Sequence, residues 1–302
     1  MNKIAVLATV GESYRFTFAN YVRLLAILWF PFVLIFAGMA VVAGPVMDAM
    51  RKAAQGPNLS AAMGMLGEIF LFEFVALFVV VVASLGVTRL ALGRPVRWPF
   101  FYFSLDRTLW RLLLADLVAG LIMFGILMAV SIVSGIVLVA MLISSGASAQ
   151  DPAAAQHLAL MQQLVVTPIV YLAMAVIYIR VGYLLPGIVS DEAGLGISRN
   201  WALTKGNFWR LLGLLVLIVL PMVILSALNY LVIWHFAGNP FDAMSHAGDP
   251  RAQMGRALTI FAFYARYWYV YAIVSLLLAP LFYGPLFASG AFAYRALAEV
   301  KA

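Results

Sequence analysis

Residues 211–234 read LLGLLVLIVLPMVILSALNYLVIW, 24 positions without one charged side chain. A helix rises about 1.5 Å per residue, so roughly 20 apolar residues cross a hydrocarbon core of about 30 Å. This stretch is long enough to do so, and it has company. Residues 24–47 and 267–294 also carry no charge, and residues 112–143 carry only Asp116. Two less clean segments follow the same pattern: 69–88, interrupted by Glu73, and 158–189, which contains Arg180. In residues 69–86, 13 of 18 positions are Val, Ile, Leu or Phe. Each favours insertion by about 0.3 to 0.6 kcal/mol, against about 2.5 to 3.5 kcal/mol lost to a central charge. Insertion wins, and six spans are expected. Lipid offers no partners for open backbone groups, so the spans are helices.

Composition agrees. Of 302 residues, 65% are hydrophobic and 10% charged, with a mean hydropathy of +1.03. A soluble domain carries about a quarter charged residues. The expectation is a single all-α domain over residues 1–302, a polytopic membrane helix bundle with short interfacial helices. Residues 1–10 hold one lysine and only a short apolar run, so no cleaved signal is expected there and the first span serves as the insertion signal. The chain contains no cysteine, which excludes disulfides.

Connections alternate between two sides. One side holds Lys3, Arg15, Arg23, Arg89, Arg94, Arg97, Arg107, Arg111, Arg180, Arg199, Lys205, Arg210, Arg295 and Lys301, which is 14 of the 19 basic residues. The other keeps Arg51, Lys52, Arg251, Arg256 and Arg266, while the 12 acidic residues divide six and six. A bias in Lys and Arg without one in Asp and Glu marks the cytoplasmic face, so both termini are expected inside. The net charge of +7 then reads as attraction to anionic headgroups rather than to nucleic acid. The outer loops, near 45–66, 144–157 and 236–256, are short and rich in Ala, Gly, Ser and Met.

The entrances to the odd-numbered spans are alike: Asn20-Tyr21-Val22-Arg23-Leu24-Leu25, Thr108-Leu109-Trp110-Arg111-Leu112-Leu113 and Asn207-Phe208-Trp209-Arg210-Leu211-Leu212. The even spans end near Arg89, Arg180 and Arg295. Three repeated hairpins, 13–92, 98–190 and 196–299, would give this pattern. The inside-positive bias and the aromatic belt would give it too.

Arg94, Arg97 and Trp98, with the aromatics up to Phe103, form a stretch suited to the headgroup layer. Arg199, Trp201, Lys205 and Arg210 form a second. Both read either as lipid headgroup contacts or as plain anchors.

The segment 180–212, RVGYLLPGIVSDEAGLGISRNWALTKGNFWRLL, resembles the glycerophosphodiester phosphodiesterase membrane-domain family and the related YciC-like bacterial inner-membrane proteins. The matching positions are Arg180, Leu185-Pro186, Asp191 or Glu192, Trp201, Leu203, Thr204, Lys205, Gly206, Asn207 and Trp209-Arg210. The resemblance implies an inner-membrane protein and no phosphodiesterase activity. That activity belongs to a separate soluble domain opening with His-Arg-Gly, and none of His157, His235 and His246 is followed by Arg-Gly. Physically, the segment reads as an elbow. Pro186-Gly187 break the fourth helix, Gly194 and Gly196 turn the chain, 199–205 form a short interfacial helix, and Gly206-Asn207 cap it.

Ionisable groups inside spans are functional candidates by default. Besides Glu68, they are Glu73 and Arg266 at one depth, and Asp116 and Arg180 at another, which suggests two ion pairs. Each pair reads as a packing clamp or as part of a polar pathway. Pro31, Pro168, Pro221, Pro280 and Pro285 predict kinks, and 279–285 can bend the sixth helix or unwind it into a binding site. No cysteine nucleophile, metal-ligating histidine pair or phosphate loop is present, so neither catalysis nor a cofactor is expected. Two function classes remain. One is a non-catalytic membrane protein with an envelope or lipid role; the other is a transporter or lipid-handling protein with a polar site between hairpins.

Overall fold

The computed structural model describes residues 3–55, 59–96, 102, 105–144, 161–237, 259–260, 262–264 and 266–298. Among them there are helices and no strands. They are α1 (Val6–Ala19), α2 (Tyr21–Gln55), α3 (Leu59–Ala91), α4 (Arg107–Ser144), α5 (Thr167–Val181), α6 (Leu185–Asp191), α7 (Ile197–Thr204), α8 (Phe208–Ala237) and α9 (Trp268–Ala298). Six stretches are long and apolar enough to cross a membrane: Tyr21–Ala49, Leu66–Ala91, Arg107–Met141, Leu164–Asp191, Phe208–Val232 and Trp268–Ala298. The chain is a multi-pass helical bundle, as its apolar blocks require. Residues 45–55 and 59–66 continue the helices instead of forming a loop, which the helix-favouring Ala, Met and Leu content explains.

Three boundaries show why helices stop where they do. Behind α3, Gly93 takes φ 69°, and Arg94 N–H reaches back to the Arg89 carbonyl at 2.8 Å. A left-handed glycine closing the last turn is a common helix end. At the front of α4, the Asp106 carboxylate accepts the Leu109 N–H at 2.9 Å, satisfying a first-turn donor. The fourth span breaks at 182–184, ahead of the expected Pro186-Gly187. Pro186 instead sits in the first turn of α6, where its missing N–H is harmless.

Prolines inside α2, α8 and α9 do not interrupt them. In particular α9 runs unbroken through Pro280 and Pro285, so the unwound sixth helix is corrected to a continuous one. Its C-terminal half is the hub of the fold: Ala279, Gly284, Ala288, Ser289, Ala291 and Ala293 are all buried. Against it lies α1, which the composition alone did not reveal. One face of α1 is a stripe of buried hydroxyls, Thr9, Ser13 and Thr17. Each donates to the carbonyl four residues back, at 3.0, 2.7 and 2.8 Å, so the stripe can pack against small residues without orphaned groups. The contact is close: a Cβ on Gly284 would lie 2.8 Å from Thr17 Oγ1.

Burial is concentrated at the arginine-rich end. Leu24, Ile27 and Leu28 of α2, Leu85 and Val87 of α3, and Leu109, Leu112 and Ala115 of α4 meet there. A second cluster joins Ile4, Ile179, Leu184, Ile188, Leu211 and Leu214.

Candidate functional site

The elbow expected at 180–212 is where most buried polar contacts converge. α5 ends at Val181, and the chain turns into α6, then α7, then α8. Asn200 on α7 is fully buried and holds three ends of that turn. Its Oδ1 accepts the Leu184 N–H at 2.9 Å, and its Nδ2 donates to the carbonyls of Ile179 at 3.0 Å and Arg180 at 2.6 Å. One amide therefore satisfies backbone groups left open where α5 stops. Entry to α7 needs Gly196 at φ 77°, where a Cβ would also strike Ile188.

Arginines pin the surrounding elements. Arg111 of α4 donates to the carbonyls of Val189 and Glu192 at the C-terminal end of α6, at 3.3 and 3.2 Å. A cation there also opposes the negative helix end. Arg94 pairs with Asp191 at 2.6 Å. Glu192 Oε1 receives Arg199 at 3.2 Å and the Tyr294 hydroxyl of α9 at 3.2 Å. Arg89 pairs with Asp106 at 2.6 Å and donates to the Tyr102 hydroxyl at 3.3 Å. Burial pushes the Tyr102 phenol up from its ordinary value, and it pushes Tyr14 the same way. Glu12 of α1 meets Arg295 of α9 at 2.7 Å. The Ile4 N–H donates to Asn207 Oδ1 at 3.3 Å, and Arg210 donates to the Ile4 carbonyl at 2.9 Å, strapping the chain start to the mouth of α8.

The expected intramembrane pairs do not form. Among the described residues, no ion pair joins Asp116 to Arg180 or Glu73 to Arg266. Arg180 instead lies over the rings of Trp201, at 5.4 Å, and Phe208, at 5.2 Å, and its Nη1 reaches Thr204 Oγ1 at 3.5 Å. Arg266 lies over the ring of its neighbour Tyr267 at 5.6 Å. Asp116 is close enough to Tyr178 of α5 to interact with it electrostatically. Glu73 is exposed along α3. Similar depth along two neighbouring helices did not mean an ion pair between them.

The expected lipid contacts divide. Arg94, Arg199 and Arg210 are engaged within the protein, as above. Trp201 is 54% exposed, and Lys205 is exposed beside it. Arg97 and Trp98 lie outside the described residues.

Asn200, Tyr183 and Ser289 were not singled out by sequence. The Tyr183 hydroxyl and Ser289 Oγ are 2.8 Å apart and join the elbow to α9. Asn200 had a signal: an amide amid the apolar face of a short helix, one residue before Trp201.

Two voids complete the picture. One of about 10 Å³ lies among α2, α3 and α9, lined by Leu28, Phe32, Val79 and Tyr283 among others. A cleft of about 440 Å³ opens between α4 and α5, lined by Ala129, Val130, Val133, Ser134, Val137, Val165, Val166 and Ile169. The chain makes a π turn there, at Gln162–Val166. Neither void is lined by Asp116 or Arg180. Among the described residues, no three His, Cys, Asp or Glu side chains gather as a metal set.

These features define a multi-pass α-helical membrane protein with a polar elbow at its arginine-rich end. No family model matches the chain, and neither a curated protein nor a solved structure is significantly similar to it.

Proposed function

We propose that the chain is a non-catalytic integral protein of a bacterial inner membrane, with an envelope or lipid role and both termini in the cytoplasm. One observation carries the reading. Most of the polar side chains at the arginine-rich end hold helices together, while the described cleft in the opposite half is walled almost entirely by aliphatic groups. Such a molecule meets lipid along its length and offers an acyl chain, rather than a polar solute, the space between α4 and α5. The positive bias supports placing that end inside. The resemblance of 180–212 to bacterial inner-membrane proteins points the same way. A transporter with a site between hairpins would bring Asp116 and Arg180 to one cavity, and their separate surroundings weigh against it.

The test is complementation. Cells lacking the chain should take up an impermeant dye faster than the parent. Wild type and Asp116→Asn, inserted at equal levels, should both restore the barrier. Failure of Asp116→Asn alone would replace this reading with the transport one.

A further inference from the structure

Arg180 is an intramembrane cation that meets aromatic rings where a counter-charge is expected. Arg180 lies within the span Leu164–Asp191, and among the described residues it pairs with no carboxylate. Its one hydrogen-bond acceptor there is Thr204 Oγ1, at a long 3.5 Å. A guanidinium carries five N–H donors in a rigid fork, so most of its donors remain open. Taking such a charge out of water is expensive unless an anion meets it.

The rest of the site is built. Asn200 fixes the Arg180 carbonyl, the rings of Trp201 and Phe208 lie beneath the guanidinium, and the side chain is only partly buried. The cation is thereby held in place while its edge stays reachable. Lys205 follows Thr204 directly, in a turn with Gly206 at φ 83°, and is exposed. Exposed Trp201 has the amphipathic character that places a ring at the headgroup level.

We propose that Arg180, with Lys205 as a second cation, is a receptor for a phosphate group. An arginine fork takes two phosphate oxygens at once, and lysine adds a point charge. The group is either the phosphodiester of an anionic lipid headgroup or free phosphate. The proposal deepens the lipid reading above and rests on it only for the source of the phosphate.

Arginine-selective labelling of the full-length protein in detergent tests it without a variant. p-Hydroxyphenylglyoxal modification at Arg180 is followed by peptide mass spectrometry. Phosphatidylglycerol should slow labelling about tenfold, the size expected for one charge-assisted contact, and a phosphate-free galactolipid of equal chain length should not. Slowing by inorganic phosphate as well would identify the anion alone as sufficient. Slowing by phosphatidylglycerol alone would identify the lipid headgroup. Equal slowing by the galactolipid, or none by either phosphate source, overturns the proposal.

In native mass spectrometry, R180K should weaken phosphatidylglycerol retention about tenfold, because it keeps the charge and loses the fork. R295K should leave it unchanged. Unchanged retention in R180K overturns the proposal too. Absent protection alongside intact barrier complementation removes the phosphate site and leaves the envelope reading standing.

Discussion

The two halves of the bundle solve helix association differently. At the arginine-rich end, helices come close enough for backbone contact: a Cβ on Gly290 would sit 2.8 Å from the Tyr183 carbonyl, and one on Gly86 would run into Tyr102 and Ile27. Side-chain amides, hydroxyls and guanidinium groups bridge what remains. In the opposite half, α4 turns Ile132, Val133, Ile136 and Ile143 outward, and α8 does the same with Val223, Leu228 and Leu231. A Cβ on Gly135 of α4 would meet nothing of another element within 4 Å. Lipid tails are as apolar as leucine, so apolarity alone gives two helices no reason to touch. Close packing and hydrogen bonds do, and they are concentrated at one end.

Substitutions at matched positions probe that contrast. The largest effect belongs to Gly290→Val, which forces branched bulk onto a carbonyl and should lower stability by about 3 kcal/mol in reversible unfolding from mixed micelles. A normal unfolding midpoint would mean the helices can separate there freely. Asn200→Ala comes next, since it orphans the Leu184 N–H and two carbonyls. About 2 kcal/mol is expected in the same assay, with faster proteolysis near 182–196 as a second readout. Asp106→Ala removes a helix cap and the Arg89 partner, and about 1 kcal/mol should follow. Gly135→Ala in the opposite half should stay within about 0.5 kcal/mol of wild type. A large loss there would show the splayed half to be packed, and the contrast between halves would fail.

Much of this was legible from residues alone, for a physical reason. Span positions follow from local composition, because hydrocarbon thickness sets length and lipid sets polarity. The stretch 211–234 needed no partner to be read. Gly194, Gly196 and Gly206 announced the elbow, and all three adopt positive φ. Partner choice was not legible. Asp116 and Arg180 were placed at similar depth by counting, but which faces meet depends on how helices rotate about their axes. The same holds for Asn200, whose three acceptors and donors come together only when α5 ends and α7 folds back. The α1 helix was missed because its contact face is polar. Its signal was the spacing of four between Thr9, Ser13 and Thr17, which reads as surface unless small residues lie opposite.

The strap between Ile4 and the mouth of α8 has a consequence for the order of synthesis. Its partners Asn207 and Arg210 are separated from Ile4 by 203 and 206 positions. At translation rates of about 5 to 20 residues per second, the ribosome needs roughly 10 to 40 s to make that interval. Ile4 therefore cannot reach these partners until the mouth of α8 has been made. Until then the Ile4 N–H and carbonyl lack the partners that the finished fold gives them.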